Sequence, residues 1–458
     1  MSTAFLPALE QARLVREREV APLELVEEYL GRIERLDPQL NAYVTVCADE
    51  ARATAQQQLE GPFAGVPMPI KDLVQTAGIR TTYSCKAYAE HVPDEDSALA
   101  RRIRAAGFVV LGKSNTPEFG TIPVTESELN GICRNPWNTE CTPGGSSGGA
   151  AAAVAAGLAP IAQASDGGGS IRIPASCCGI YGLKPSRGRT SPAPQGDAYG
   201  LSVQGPVART VADAAAYLDA LAGPEPGDPF VAPAPERPFL EEAGRPPGRL
   251  RVALVLEPPV DVPVDPACSA AAEDAATLLT DLGHDVERVT PTWNAGALGE
   301  LFAVVWQTIP ALYPGLDTSQ LEPLNAEFAA RSDATSSADY VRAFVQLQSY
   351  GRRVAEFVAG YDVVLTPTLA QPPVPVGWVR EPAEPWEQYE RALAFTPFTA
   401  PVNVAGLPAA SLPLAWTDDG LPIGIQLVAS YGGEPVLVRL SAQVEDARPW
   451  ADRRPPVS

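Results

Sequence analysis

Short apolar runs alternate with helical stretches from Gly65 onward, and this alternation restricts the chain to few folds. Residues 66–70 and 108–111 are apolar runs, and residues 97–106 between them have the character of a helix. Apolar runs of this length are typical of buried strands, and strands that alternate with helices form a sheet covered by helices. The sequence therefore predicts an α/β fold.

The rest of the chain divides into three regions by composition. Residues 5–60 are mostly helix formers with apolar residues at helical spacing, so we expect helices there. Residues 224–247 are dense in Pro, Gly and charge, and they predict a surface excursion. Residues 250–458 form a second α/β part, in which we expect strands at 250–256 and 362–365 and a helix at 267–282.

The charge balance argues against nucleic acid as a partner. The 458 residues carry 34 Lys and Arg against 55 Asp and Glu, which gives a formal charge of −21. A groove that neutralises phosphates needs the opposite balance. An uncharged stretch at residues 142–165 is rich in Gly, Ala and Ser, which gain too little in hydrocarbon for a membrane span, so we expect no membrane partner.

The cysteines favour a cytoplasmic protein without a metal. There are seven, an odd number with no Cys-x-x-Cys pair, which suits neither a disulfide framework nor a zinc site. Residues 1–12 lack a basic stretch followed by an apolar one, so we expect no secretion signal. A reducing compartment, the cytoplasm, fits this pattern best.

Residues 107–114 match the phosphate-loop pattern G-x-x-x-x-G-K-[ST], which would make the chain a nucleotide-binding protein. A phosphate loop follows a strand and opens a helix. Here the four middle residues are strand formers, and Asn115, Thr116 and Pro117 stand where the helix should begin. Nucleotide binding at these residues is kept as the alternative from a different functional class.

Residues 144–148 match G-x-S-x-G, the nucleophile elbow of the α/β-hydrolases. That elbow follows a strand and works with a histidine further along the chain. Residues 138–143 do not have the character of a strand, and the only later histidine is His284, whose place in a turn indicates a solvated residue. A serine nucleophile in this chain therefore needs a different base, and a neutral lysine is the natural substitute.

Two segments rich in Gly and Ser carry the candidate chemistry. They are residues 144–149, which include Ser146, and residues 166–176, which include Ser170. Glycine lets backbone N–H groups approach a ligand closely. A row of such groups before a serine is the arrangement expected of an oxyanion hole and its nucleophile.

These segments resemble the amidase signature family, whose core combines a Lys-Asp element, a G-G-S-S-G-G loop and a D-x-G-G-S-x-R-x-P-A segment. Here Lys71 and Ser146 are 75 residues apart, and Ser146 and Ser170 are 24 apart, spacings similar to those of the family. The strong resemblance covers residues 61–190, which we expect to form the catalytic core, and it returns over residues 395–445. Across the whole chain, the branch it most resembles is that of the 6-aminohexanoate cyclic-dimer hydrolases.

The resemblance implies one large α/β/α domain over residues 1–458, with a central mixed β-sheet flanked by helices. It implies a triad of Ser170 as nucleophile, Ser146 as a bridging serine on a cis peptide bond, and Lys71 as general base. The N–H groups before the nucleophile would form the oxyanion hole, namely those of Gly167, Gly168 and Gly169. Three further residues would support the loops: Ser147, Asp166 and Arg172. No metal or organic cofactor is implied.

Elementary chemistry supports Lys71 as the base. A serine hydroxyl is a weak nucleophile that needs a base. An exposed lysine has a pKa of ~10.4, and burial lowers it by several units. The apolar run at residues 66–70 can bury Lys71, whereas Asp72 points to the opposite face if the backbone is extended.

The expected reaction is hydrolysis of a carboxylic acid amide by water, through an acyl-enzyme at Ser170, in a chain that could form a homodimer. The alternative among enzymes is the glutaminase subunit of a tRNA-dependent amidotransferase, which the charge of −21 disfavours.

Gly167 departs from the family pattern, where a larger residue is common, and would loosen the loop or widen the acyl site. Aromatic residues in the second part predict an apolar pocket for an uncharged amide: Phe302, Trp306, Tyr313, Trp378, Trp386, Tyr389, Phe395 and Phe398.

Overall fold

The computed structural model describes residues 3–195, 200–293, 298–313 and 315–458. Strands and helices alternate along much of this part of the chain. The strands are β1 (Tyr43–Val46), β2 (Pro67–Lys71), β3 (Val109–Ser114), β4 (Glu126–Ser127), β5 (Gly131–Ile132), β6 (Ile161–Asp166), β7 (Tyr181–Lys184), β8 (Val203–Ala208), β9 (Arg251–Leu254), β10 (Asp285–Arg288), β11 (Val363–Pro367), β12 (Ala409–Trp416) and β13 (Pro422–Val428).

The α-helices are α1 (Ala8–Arg16), α2 (Pro22–Leu40), α3 (Ala48–Ala55), α4 (Ala98–Ala105), α5 (Gly148–Ala155), α6 (Arg172–Cys178), α7 (Val211–Leu221), α8 (Phe239–Ala243), α9 (Pro266–Asp281), α10 (Leu298–Trp306), α11 (Pro323–Ala334), α12 (Ser337–Val358), α13 (Pro385–Phe395), α14 (Ala400–Ala405) and α15 (Glu434–Ala447). Short 3-10 helices lie at Lys86–Tyr88, Glu118–Gly120, Ile309–Leu312 and Thr318–Gln320. None of the helices described here is both long and apolar enough to cross a bilayer.

Most of the strands form one mixed sheet with the order β10-β9-β11-β13-β12-β7-β8-β6. Strand β9 pairs in parallel with β10 and β11, and the remaining neighbours pair antiparallel. Val252 and Leu254 pack in one apolar cluster with residues of α9 and α15, whereas Ala253 packs in another with residues of α10 and α12. Because successive strand residues face opposite sides of a sheet, helices cover both faces. The predicted α/β fold with a mixed central sheet is confirmed.

A smaller sheet with the order β1-β3-β2 lies beside the β6 edge of the large sheet. Strands β2 and β3 pair in parallel, with Lys71 opposite Ser114. The backbone N–H of Lys71 donates to the side-chain oxygen of Gln163 on β6 at 2.9 Å. This contact brings Lys71, the last residue of β2, next to the strand that ends at Asp166.

Two local expectations are wrong. Residues 5–60 are not helical throughout, because residues 43–46 are strand formers and pair antiparallel with β3 as strand β1. His284 is buried rather than solvated. Its Nδ1 accepts the N–H of Leu250 at 3.2 Å, and its Nε2 lies 2.8 Å from Oε1 of Gln443, so the turn before β10 is held between β9 and α15.

The other predicted elements lie close to their expected positions. Strands β9 and β11 and helix α9 fall at the places predicted in the second α/β part. Residues 224–247 include the short helix α8, whose Phe239 is buried against the body of the protein. The backbone N–H of Phe239 donates to the carboxylate of Asp219 on α7 at 2.6 Å, which fixes the beginning of this helix.

The phosphate-loop match at residues 107–114 forms a strand rather than a loop. Most of it is β3, and Lys113 is buried there. The Lys113 ammonium donates to the carbonyl of Val74 at 2.5 Å and to the hydroxyl of Thr81 at 2.8 Å. A phosphate-binding lysine must reach a ligand, so this geometry does not support nucleotide binding at these residues.

Candidate active site

The predicted site residues lie at the ends of strands and at the beginnings of helices. Lys71 ends β2 and Asp166 ends β6, whereas Ser146 and Ser147 stand directly before α5. Ser170 stands two residues before the first residue of α6. Four segments that are distant in sequence or separated by turns thus meet at the junction between the two sheets.

Lys71 is the centre of a buried cluster of hydroxyl groups. Its Nζ atom lies 2.7 Å from Ser146 Oγ, 2.9 Å from Ser147 Oγ and 3.0 Å from Ser165 Oγ. The side chain is fully buried, and this burial lowers its pKa to about 7, although the negative charge of Asp166 acts in the opposite direction. A substantial fraction of Lys71 is therefore neutral near pH 7.

Ser146 is held between Lys71 and the cavity. The Gly145–Ser146 peptide bond is cis. A side chain at position 145 would place its Cβ atom 2.6 Å from the backbone nitrogen of Val124, so only glycine allows the loop to pack this closely. Ser146 is 2% exposed and lines the same cavity as Ser170.

Ser170 is 7% exposed and follows three glycines, of which Gly167 and Gly168 each line a cavity beside it. The N–H groups of Gly167, Gly168 and Gly169 meet no backbone carbonyl in the described part of the chain. Gly169 has a φ of +140°, and a Cβ atom there would lie 2.4 Å from Thr399 Oγ1. Thr399 Oγ1 in turn donates to the carbonyl of Gly168 at 2.6 Å, which fixes the loop.

Asp166 and Arg172 form a fully buried ion pair beneath this loop. Nε and Nη2 of Arg172 each lie 2.9 Å from one carboxylate oxygen of Asp166. Burial by itself would raise the pKa of Asp166, but the charge and hydrogen bonds of Arg172 lower it to about 2. The Asp166 carboxylate also accepts the N–H of Ile171 at 3.2 Å, so the pair closes the turn that carries Ser170.

Sequence reasoning missed three residues of the site: Ser165, Asn403 and Gln426. Ser165 contacts Lys71. Its position directly before Asp166, in a segment already identified, is the sequence signal by which it could have been predicted. Arg172 donates to Gln426 Oε1 and to Asn403 Oδ1, both at 2.6 Å. Both residues lie in the C-terminal stretch that resembles the family, and both are more than 200 residues away from the loop they support.

Two cavities meet at Ser170. The larger has a volume of about 170 Å³ and is also lined by Ser146 and Ser165, whereas the smaller has about 60 Å³ and is lined mainly by apolar residues. No charged side chain lines either cavity in the described part of the chain. Of the aromatic residues singled out in the sequence, four line these cavities: Phe302, Trp306, Tyr313 and Tyr389.

The other four aromatic residues pack in the apolar core or against it: Trp378, Trp386, Phe395 and Phe398. Within the described ranges, no group of three or more His, Cys, Asp or Glu side chains is arranged to hold a metal ion. The site as it stands offers hydroxyl groups, one buried amine and backbone N–H groups. That set is suited to nucleophilic attack by a serine on a carbonyl carbon.

The comparisons with known proteins agree with this geometry. A family model described as amidase matches residues 24–438. The 6-aminohexanoate-cyclic-dimer hydrolase of Paenarthrobacter ureafaciens is 40% identical over 478 aligned positions, which cover 98% of this chain and 96% of that protein. A solved structure of 6-aminohexanoate cyclic dimer hydrolase matches with a TM-score of 0.95 and 37% identity and covers 100% of both chains.

A more distant solved structure has the same architecture. A bacterial aryl acylamidase of the amidase signature family matches with a TM-score of 0.85 and 28% identity, over 98% of this chain and 97% of that one. The family model matches most of the sequence, and the alignment to the hydrolase also covers nearly all of it. The chain belongs to the amidase signature family.

Proposed function

We propose that Ser170 is the nucleophile of this amide hydrolase, Ser146 its proton relay and Lys71 its general base. The observation that carries the proposal is the 2.7 Å contact between Lys71 Nζ and Ser146 Oγ, in a fully buried position beside the cavity that Ser170 lines. Ser147 and Ser165 hold the Lys71 amine in place through their hydroxyl groups. A lysine fixed in this way can accept a proton without leaving its position.

Acylation transfers one proton from Ser170 to the leaving nitrogen and replaces the C–N bond of the amide by a C–O bond to Ser170. The Ser170 hydroxyl passes its proton to Ser146, and Ser146 passes its own proton to the neutral amine of Lys71. Ser170 Oγ attacks the amide carbon, and the resulting tetrahedral species collapses as the C–N bond breaks. The leaving nitrogen takes its proton back along the same path. Water then repeats the sequence on the acyl-enzyme, which releases a carboxylic acid and restores Ser170.

The oxyanion of the tetrahedral species needs donors that are already oriented. We assign this role to the N–H groups of Gly167, Gly168 and Gly169. The absence of a backbone acceptor for them in the described residues, and the bond from Thr399 to the Gly168 carbonyl, support the assignment. Asp166 and Arg172 maintain the loop without contacting the substrate.

The substrate we infer is an uncharged carboxylic acid amide, linear or cyclic. Both cavities at Ser170 are lined by uncharged side chains in the described residues. Glutamine carries an ammonium and a carboxylate group, and burying either without a partner is costly. This lining therefore disfavours the alternative of a glutaminase subunit, and the relatives named for a cyclic amide support the broader class.

We also propose how the domain is divided, in which compartment the protein acts and which partners it has. Residues 1–458 would act as one amidase domain, with the catalytic core at residues 61–190 and with residues 250–458 shaping the substrate pocket. All seven cysteines are free and buried, which supports a reducing compartment and a cytoplasmic location. We propose water and the amide as reactants, no metal or organic cofactor, no nucleic-acid or membrane partner, and a homodimer as the assembly.

A fluorophosphonate probe tests the proposed nucleophile. Such a probe phosphonylates an activated serine, and peptide mass spectrometry locates the adduct. We expect one adduct, on Ser170, in the wild-type protein and in the Ser202→Ala variant, and no adduct in Ser170→Ala. Ser202 is a matched control because it is an exposed serine that lines the same cavity. An adduct on Ser146, or labelling that persists in Ser170→Ala, would overturn the proposal.

A further inference from the structure

We propose that Trp306 divides the site into an acyl compartment and an amine compartment. The smaller cavity would bind a short, uncharged aliphatic acyl group, and the larger one would bind the leaving amine and then the hydrolytic water. This inference rests on the proposed role of Ser170 and assigns each end of the substrate to one side of that residue. On this proposal, residues of α10 and α13 determine how long an acyl group the enzyme accepts.

Trp306 stands in the wall that the two cavities share. It lines both of them, together with Ser170 and Gly120. Its indole Nε1 donates to the carbonyl of Thr121 at 3.0 Å, and its ring stacks on Phe302 with centroids 5.0 Å apart. A side chain that is held both by a hydrogen bond and by a stacking contact is a fixed partition.

The partition is fitted to the loop that carries the nucleophile. A Cβ atom at position 167 would lie 2.9 Å from Cη2 of Trp306, and one at position 168 would lie 3.4 Å from Cζ of Phe302. Gly167 is not among the glycines with positive φ, so the indole ring is the nearest obstacle to a side chain there. The indole therefore lies directly against the backbone that would bind the oxyanion.

The position of the proton relay decides which end of the substrate lies on which side. Ser146 and Ser165, which contact Lys71, line only the larger cavity. When the C–N bond breaks, the leaving nitrogen must receive its proton from Ser146, so the amine lies on that side of Trp306. The acyl group is the other substituent of the carbon bound to Ser170 Oγ, and it is therefore directed into the smaller cavity.

The lining and size of the smaller cavity indicate what acyl group it takes. The cavity has about 60 Å³, against about 170 Å³ for the larger one. Its apolar lining includes Ile122, Ile173 and Leu393, and the hydroxyl of Tyr389 is already bound to the carbonyl of Gly299 at 2.9 Å. Few polar groups are left there for a polar acyl chain, and a short aliphatic chain gains from burial instead.

Two variants of α13 change the smaller cavity in opposite directions. Ala392→Leu fills it and Leu393→Ala enlarges it. Their kcat/KM values are measured with anilides whose acyl group lengthens stepwise from acetyl to octanoyl. We expect Ala392→Leu to lower kcat/KM for the longer acyl groups about tenfold relative to acetanilide, and Leu393→Ala to move the optimum to longer groups. Ala343→Leu on α12 is the matched control, because Ala343 is also a buried alanine but lines neither cavity.

A second series keeps the acyl group constant and varies the amine. We expect the α13 variants to leave the order of preference among amines as it is in the wild type. A change in amine preference with unchanged acyl preference would overturn the assignment, and so would equal losses for every acyl length. If Ala392→Leu fails to fold, Leu393→Ala alone decides. Failure of the proposed nucleophile is recognised separately, because the fluorophosphonate adduct on Ser170 would then be absent.

Discussion

Lys71 Nζ lies 2.7 Å from Ser146 Oγ, and the lysine is wholly withdrawn from solvent. The contact and the burial act together: the first provides a path for the proton, and the second lowers the pKa of the amine to about 7. A histidine in a serine hydrolase supplies the same two properties. In this chain, a lysine placed at the end of a buried strand supplies them.

The pH dependence of the reaction follows from this pKa. The base is active only when it is uncharged, and Lys71 is uncharged above its pKa. We therefore expect kcat/KM to rise as the pH passes through about 7 and to level off above it. The profile is measured on an anilide, together with unfolding at each pH to exclude loss of the fold. A rate that stays constant well below pH 6 would contradict the role of Lys71.

Replacing the lysine tests the same role by mutation. A guanidinium does not lose its proton at working pH, so Lys71→Arg keeps a positive charge but provides no base. We expect Lys71→Arg and Lys71→Ala to lose roughly a hundred- to ten-thousand-fold in kcat. Lys86→Arg is the control, because Lys86 is a half-exposed lysine paired with Glu128 outside the site. Turnover by Lys71→Arg at a rate near that of the control would refute the assignment.

The buried ion pair predicts a change in stability. Asp166→Asn leaves the buried Arg172 guanidinium without the carboxylate that balances its charge, and we expect the free energy of unfolding to fall by about 3–5 kcal/mol. Urea denaturation measures this change. Asp339→Asn, in an exposed pair with Arg342, should leave the denaturation midpoint unchanged. Similar midpoints for Asp166→Asn and the wild type would mean that the pair does not stabilise the fold.

The same pair has a defined pH window. The pKa of Asp166 is lowered from its ordinary value of 3.8 to about 2 in the folded protein. Its contribution to stability is therefore complete above about pH 4 and is lost as the pH falls toward 2. We expect the difference in unfolding free energy between the wild type and Asp166→Asn to shrink over this range. A difference that grows as the pH falls would contradict the sign of the pKa change.

The contact between Trp306 and the loop predicts coupling between two substitutions. Gly167→Ala places a methyl group against the indole ring, so we expect it to lower kcat/KM in the wild-type background. In a Trp306→Leu background the obstacle is smaller, and the added methyl group should cost less. A double-mutant cycle measures the coupling, which we expect to be roughly 1–3 kcal/mol. Additive effects would show that the two residues act independently.

Much of the fold was accessible from the sequence because its signals are local. The alternation of apolar runs and helices predicts the layered α/β architecture, and the apolar run before Lys71 predicts its burial. The two Gly/Ser motifs and their spacing identify Ser146 and Ser170 as candidate site residues. His284 shows the limit of such reasoning: a turn is usually solvated, but this turn packs between β9 and α15.

The residues that complete the site could not be predicted, because their role depends on contacts between distant parts of the chain. Asn403 lies 231 residues after Arg172 and Gln426 lies 254 residues after it, yet both accept hydrogen bonds from that guanidinium. The resemblance of this stretch to the family marks the region, but nothing in the local sequence indicates that these two side chains contact Arg172. Trp306 is one of many aromatic residues in its region, and only the packed structure brings it against Gly167.

The central claim is that the substrate becomes covalently attached to Ser170 with Lys71 as the base. Its most direct test is to quench the enzyme within the first turnover of an activated acyl ester or anilide and to map the peptides by mass spectrometry. We predict that the mass of the acyl group is added to the peptide that contains Ser170, and that Lys71→Ala accumulates none over the same interval. An acyl group on Ser146 or Ser147, or hydrolysis that proceeds in Ser170→Ala at the wild-type rate, would contradict the account.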